Sequence, residues 1–290
     1  MADHTVEPKV TTFAGLSLDR PRIMGIVNVT PDSFSDGGEA LRVEDAVNRG
    51  RAMLAAGADI LDIGGVSTRP GATPVSVDEE CTRVLPVIES LAGEGARISI
   101  DSQRAAVMRA AVAAGATIIN DVTALDGDPD AMAVVLETGV WVILMHMQGQ
   151  PPTMQDNPTY DVPSQDIRDY LARRIGICEA VGISRDRIAV DAGIGFGKTL
   201  DHNLELLAHM NVLHELACAV VVGVSRKSFI GHLTGTKDPQ DRVAGSVAAA
   251  LATWDLGVKI FRVHDVAQTR QAFDVWEAIN QTRSSQAAQR

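Results

Sequence analysis

Eight short apolar runs in this chain each end in a polar or charged side chain. They are IMGIVN ending in Asn28, DILDIGG around Asp62, RISI before Asp101, and TIIN with Asn120 and Asp121. The others are VWVILM before His146, RIAV before Asp191, AVVVGV before Ser225 and Lys227, and KIF before Arg262 and His264. A strand that reads as a continuous apolar run is covered on both faces, as in a parallel sheet. Between the runs lie stretches of 3.6-residue period at roughly 43–56, 76–92, 104–114, 129–137, 165–181, 200–215, 239–256 and 266–282, with Pro163 and Ser164 a natural start for the fifth. Eight strand–helix units favour a (β/α)8 barrel over a doubly wound sheet, and place the site where the strands end.

The length fits one large α/β barrel or two average domains. The 290 residues suffice for one such barrel, and with 4% aromatics the core is expected to rest on small branched side chains. The expected organisation is a flexible 1–12, a barrel over 13–282 whose FAGLSLDRP segment plugs the bottom, and a disordered tail at 283–290. The net charge of −11 argues against broad nucleic-acid or anionic-membrane binding, without excluding a local cationic pocket. Cys81, Cys178 and Cys218 form no Cys-x-x-Cys pair, so neither a disulfide framework nor a zinc site is expected. No apolar h-region or membrane-length run is present, and a soluble, cytoplasmic protein is expected.

Two connections on the presumed site face are long: TPDSFSDGGEALR after the first strand and STRPGATPVSVDEE after the second. Such loops usually bind or cover a ligand, although Asp and Ser also cap helices. Asn28, with Asp32 and Asp36 on the loop, offers oxygen ligands suited to Mg2+. Arg69 beside Thr68 is able to hold an anion bidentately. Asp101, Asn120 and Asp191 offer acceptors and an amide to a flat heterocycle with an amino group next to a ring N–H. GVSRKSF and FRVHD follow the seventh and eighth strands, where barrels commonly hold phosphate. Ser225, Lys227, Ser228, Arg262 and His264 are expected there to form a cationic corner for a phosphorylated substrate. GIGFGKT is not a P-loop, because the first glycine is displaced by Ala192, and Phe196 and Lys198 are expected on the site rim. His146 reads as a polar lining residue, and His202, His209 and His214 read as surface residues of one helix.

Together MGIVNVTPDSFSDGG, STRPGA, SIDS, INDV, LMHMQGQPPTM, GIGFGK, SRKS and RVHD occur in the order of the dihydropteroate synthase family, which the chain resembles over roughly 13–280. The resemblance implies a (β/α)8 barrel, usually a homodimer, that joins 7,8-dihydropterin-6-ylmethyl diphosphate to 4-aminobenzoate in folate biosynthesis, with small molecules as its other partners. It implies that Asp101, Asn120, Asp191 and Lys227 hold the pterin with Met145 packed on the ring. Asn28 would bind Mg2+, and Thr68, Arg262 and His264 the diphosphate. Arg69, Pro70, Phe34, Phe196 and Ser228 would lie near the aminobenzoate. Lys227 and Arg262 are expected to act catalytically by stabilising the leaving pyrophosphate, and Asp36, or Asp32 on the same loop, by bonding near the reaction centre. The chain departs from the family pattern at Val66 (usually Glu), Ala192 (usually Pro) and Ser102 (usually Thr). The alternatives weighed are a sulfonamide-insensitive form of the same enzyme, a catalytically silent pterin-binding homologue, and a corrinoid-dependent pterin methyltransferase.

Overall fold

The computed structural model describes residues 10–30, 39–66, 75–150 and 153–287. Eight parallel strands close into one barrel: β3 Arg22–Asn28, β4 Ile60–Gly64, β5 Ile98–Asp101, β6 Ile118–Asp121, β7 Trp141–Met145, β8 Ile188–Asp191, β9 Ala219–Val222 and β10 Ile260–Val263. β10 pairs with β3 to complete the ring. The helices are α1 Glu39–Ala55, α2 Val77–Gly93, α3 Ala105–Ala113, α4 Ala131–Thr138, α5 Pro163–Ala180, α6 Leu200–Ala208, α7 Ser228–Thr234, α8 Val243–Trp254 and α9 Val266–Ala287. No helix among the described residues is long and apolar enough to cross a membrane.

Two apolar layers explain why the strands read as unbroken apolar runs. Successive side chains of a strand point to opposite faces. Ile23, Leu61, Ile63, Ile98, Ile100, Val190, Val220 and Phe261 belong to the cluster that packs the sheet against the helices. Met24, Ile60, Ile118, Ile143, Ala189, Val221 and Ile260 form a second cluster in the lower lumen. Two residues further along several of these strands, the lumen positions become Asp62, Asn120, Met145, Asp191 and Arg262. The lumen therefore passes from apolar at the bottom to polar at the tips.

The bottom is plugged, as expected, by a hairpin of β1 Thr12–Phe13 and β2 Leu16–Ser17. Phe13, Ala14 and Leu18 are buried in the lower-lumen cluster. Thr12 already pairs with Ser17, so ordered structure starts ahead of the expected boundary at 13. One buried carboxylate fastens this end. Asp59 meets Arg20 Nη2 at 2.6 Å, Arg22 Nη1 at 3.3 Å, the Ile23 backbone N–H at 2.9 Å and Arg270 Nη2 of α9 at 3.6 Å.

The outer layer differs from expectation in three places. The sixth helix stops at Ala208 and gives way to a 3-10 segment, Met210–Leu216, which turns His214 inward. His214 is buried, and its Nε2 lies 3.0 Å from the Leu256 carbonyl, so it is not a surface residue. A further short helix, α7, follows β9; Gly235 at φ 76° ends it, and Pro239 opens the 3-10 turn that leads into α8. The last helix runs to Ala287, past 282 and into the segment expected to be disordered, because Gln, Ser and Ala carry no breaker.

Phe13→Ala is expected to destabilise the barrel by about 3–5 kcal/mol, the usual loss for truncating a buried Phe. A lowered midpoint in urea denaturation checks this, and an unchanged midpoint would show that the hairpin is only an appendage.

Candidate active site

A guanidinium shared between two carboxylates organises the polar end of the lumen. Arg262 on β10 donates from Nε to Asp62 Oδ2 at 2.6 Å and from Nη2 to Asp101 Oδ2 at 2.6 Å. Asp62 is fully buried, and the same oxygen accepts from Asn120 Nδ2 at 3.1 Å. β10, β4, β5 and β6 are thus cross-linked through side chains inside the ring. Asp191, at the tip of β8, accepts from the Gly193 backbone N–H at 2.7 Å. Its other oxygen faces Gly223, 4.0 Å from where a Cβ would stand, so the absent side chain leaves room above it. Met145 pairs in register with Asp191 and is buried beside it.

Burial sets the protonation states. It raises Asp101 to about 7, with Asp62, Asp121 and Glu80 adding to the effect and Arg262 opposing it. Asp191 is likewise raised by burial, against the Gly193 hydrogen bond and Lys227. Burial, reinforced by Arg262, lowers Lys227 to about 8, and its Nζ stands 4.2 Å from the centroid of the partly exposed Phe196 ring. His264 is brought down to about 3 by burial, Arg262 and Arg226. It is a neutral imidazole, with Nδ1 3.0 Å from Ser225 Oγ.

These states correct the cationic corner. Lys227 and Arg262 face Asp62, Asp101 and Asp191, and His264 carries no charge near neutral pH. The corner is rich in donors and close to charge balance. Arg226, the neighbouring cation, is held by Asp265 at 2.6 and 3.0 Å. Ser228 is exposed as the first residue of α7.

Other expected residues separate into structural and functional sets. Asp121 is a turn cap: its carboxylate accepts from Thr123 N, Thr123 Oγ1 and Leu125 N at 2.8–2.9 Å. Lys198 is not on the rim but buried, bonded to the Gly193 and Phe196 carbonyls at 2.9 Å each. His146 is buried and lowered to about 3 by burial and Lys198, which fits a neutral lining residue and not a base. Asn28 ends β3 half-buried, in register with Gly64. Asp32, Phe34, Asp36, Thr68, Arg69 and Pro70 lie outside the described residues. Val66 lines a cavity of about 30 Å³ with Glu80, Asp101, Ser102 and Arg104. A carboxylate reaches that cavity from elsewhere: Glu80 is buried and pairs with Arg104 Nη1 at 3.1 Å. Ala192 follows the end of β8 and is fully buried.

Asp62 is the main residue that reading strand ends overlooks as a site member. It lies one step inside the tip, and only the inward alternation from Ile60 reveals that it points into the lumen.

Residues 24–264 match the model of a family described as pterin binding enzyme. The chain belongs to the pterin binding enzyme family. Among its relatives is the dihydropteroate synthase of Escherichia coli (strain K12), 46% identical over 91% of this chain and 93% of that protein. The dihydropteroate synthase of Neisseria meningitidis serogroup C is 48% identical over 91% and 94%. The Xanthomonas albilineans dihydropteroate synthase solved with 4-aminobenzoic acid has a TM-score of 0.86 at 52% identity, covering 91% of this chain and 95% of that one. The same organism's synthase in complex with 7,8-dihydropteroate has a TM-score of 0.83 at 48% identity, covering 91% and 95%. Family membership agrees with the acceptor-lined, plugged barrel.

Asp62→Ala should cost about 3–5 kcal/mol of stability, because it leaves a buried guanidinium half paired. Chemical denaturation measures this, and a loss below about 1 kcal/mol, typical of an exposed pair, would remove Asp62 from its organising role.

Proposed function

We infer that the protein is a dihydropteroate synthase of folate biosynthesis, transferring the pterinylmethyl group of 7,8-dihydropterin-6-ylmethyl diphosphate to 4-aminobenzoate with release of pyrophosphate. One observation carries the reading. Three strand-tip residues each use part of their side chain on the protein and keep an acceptor in reserve. Asp101 Oδ2 accepts from Arg262, Asn120 donates its amide N–H to Asp62, and Asp191 Oδ1 accepts from the Gly193 N–H. The remaining oxygens form an acceptor set that complements the donor-rich edge of a dihydropterin, with Asp191 on the amino and N3 edge. Solved relatives bound to 4-aminobenzoic acid and to 7,8-dihydropteroate support the same substrates.

In this reading Met145 packs on the pterin ring. Lys227 and Arg262 stabilise the negative charge that grows on the departing diphosphate, with Ser225 and neutral His264 as further hydrogen-bonding groups. The C–O bond breaks with its electron pair on pyrophosphate, and the electron-rich pterin spreads the resulting methylene cation. The arylamine lone pair then forms the C–N bond, and its surplus proton passes to solvent or pyrophosphate. An arylamine is neutral at working pH, so no strong base is needed; this agrees with a site of carboxylates without a nucleophile–base pair. Phe196 lines the arylamine side. By the resemblance, Thr68 would join the diphosphate, Phe34, Arg69, Pro70 and Ser228 the arylamine, and Asp36 the reaction centre.

Mg2+ fits this corner. Asn28 offers a neutral oxygen, and the near-balance of charge leaves a bound diphosphate in need of a hard cation, which commonly keeps waters and shares phosphate oxygens. When bound, Mg2+ supplies Lewis acidity at the diphosphate. A cytoplasmic homodimer completes the reading, consistent with exposed Leu233 on α7 and Val275 and Ile279 on α9.

Pyrophosphate release by purified protein given the dihydropterin diphosphate, Mg2+ and 4-aminobenzoate, with and without a sulfonamide, is the direct test. Release that depends on aminobenzoate is expected. Pterin binding without release would make the chain a silent homologue, and release insensitive to the drug would make it a resistant form. Asp191→Asn is expected to weaken pterin binding roughly ten- to a hundredfold, the worth of a hydrogen bond to a charged group. Normal binding by calorimetry would refute the pterin assignment. Protonating Asp101 removes an acceptor, so pterin affinity should fall towards tenfold per pH unit below about 7. That dependence should disappear in Asp101→Asn.

A further inference from the structure

The GIGFGKT segment resembles a phosphate-binding loop but does not behave as one. Its lysine turns away from the anion corner. Lys198 is 3% exposed, and its ammonium donates to the Gly193 carbonyl at 2.9 Å, the Phe196 carbonyl at 2.9 Å and His146 Nδ1 at 3.1 Å. A buried ammonium is costly unless it is fully bonded. Here the bonds go to two backbone oxygens of one turn and to a ring on the neighbouring strand end. Burial lowers Lys198 to about 7, and in its protonated form the ammonium has no acceptor, so His146 Nδ1 then accepts from it.

The rest of the turn is anchored with equal economy. The Gly195 N–H donates to Asn203 Oδ1 at 2.7 Å, and its carbonyl accepts from Gln155 Nε2 at 2.7 Å. The Gly197 carbonyl accepts from Tyr160 Oη at 2.8 Å. Gly193 and Gly197 have φ of 65° and 62°, and a Cβ on either would run into the carbonyl oxygen of His146 or Gln148. The segment after β8 is therefore pressed onto the chain following β7. Phe196 is its partly exposed ring, with the Lys227 ammonium on its face at 4.2 Å.

We propose that Lys198 is a positioning residue for the arylamine substrate. From beneath the rim it pins the Gly193–Phe196 turn to the end of β7, and so presents the Phe196 ring, with Lys227 upon it, to the incoming aminobenzoate. The proposal rests on the synthase reading and on Phe196 lining the arylamine side. Lys198 itself touches neither substrate. Its removal therefore acts mainly on the second substrate: of the residues given to the pterin, Asp101 and Asn120 stand on β5 and β6 away from the turn, while Asp191 meets it only through the Gly193 N–H and Lys227 only through the Phe196 ring.

The test compares wild type, Lys198→Met, Phe196→Leu and the double variant. It measures KM for 4-aminobenzoate and kcat by pyrophosphate release, and pterin affinity by calorimetry. Lys198→Met is expected to raise KM for aminobenzoate about tenfold while pterin affinity falls less than about threefold, because the turn carries the whole Phe196 ring but gives Asp191 only one backbone hydrogen bond. In the Phe196→Leu background the same change should add less than about twofold, since residues acting through one contact are not additive. Full additivity, an unchanged KM or an equal loss of pterin affinity overturns the proposal. Should Lys198→Met fail to fold, Gln155→Ala removes an exposed anchor of the same turn, and about a threefold rise in KM supports the proposal while no change overturns it. Wild-type protein that releases no pyrophosphate with aminobenzoate overturns the synthase reading itself, an outcome separate from a variant that matches an active wild type.

Discussion

The polar half of the barrel depends on one guanidinium held between two carboxylates. A charge taken out of water is tolerated only when its partners and geometry compensate for lost hydration. Arg262 meets that condition through Asp62 and Asp101, and Asp62 extends it to Asn120. Four strands are linked in this way across a lumen otherwise filled with aliphatic side chains. The groups left for a ligand are the spare oxygens of Asp101 and Asn120, since Asp62 is wholly buried. Their directions are fixed before a ligand arrives, so little reorganisation is left for the binding step.

This arrangement also decides the electrostatics. A corner with many basic residues in its sequence is nearly balanced once folded, because Arg262 is shared by two acids, Arg226 is clasped by Asp265 and His264 is neutral. Such a corner is suited to hold an anionic group by directed hydrogen bonds more than by net charge. It would also let the group go after the bond breaks, which a strongly cationic pocket would resist.

Much of this was legible in the sequence, for a definite reason. A parallel barrel strand is apolar outward against helices and inward at the bottom, so its polar tip stands out as the end of an apolar run. Asp101, Asn120 and Asp191 were visible that way. Asp62 as a site residue was not, because its inward direction follows from alternation within a strand and its partner is on the far side of the ring. Lys198 was misplaced for a similar reason: a glycine-rich segment suggests an open rim, whereas three hydrogen bonds draw its ammonium inside. His214 could not be separated from its exposed neighbours, because a break after Ala208 rotates it. The expected helix at 239–256 began early because Pro239 starts a 3-10 turn, not α8. His264 is lowered first by burial and then by Arg262 and Arg226, all of which only the fold supplies. Residues 31–38 and 67–74 of the two long loops lie outside the described residues.

Closure of the ring has its own consequence. Most neighbouring strand pairs are consecutive in the chain, joined by one helical crossover each, but β10 and β3 bring together residues from opposite ends of the sequence. Closing so long a loop carries the largest entropy cost of any pair in the barrel. Asp59 stands beside that seam, drawing together Arg20 and Arg22 from the entering chain and Arg270 from the last helix. The buried carboxylate at the closed end is therefore a clasp on the one joint that turns a curled sheet into a barrel, and the joint where a partly folded chain would come apart first.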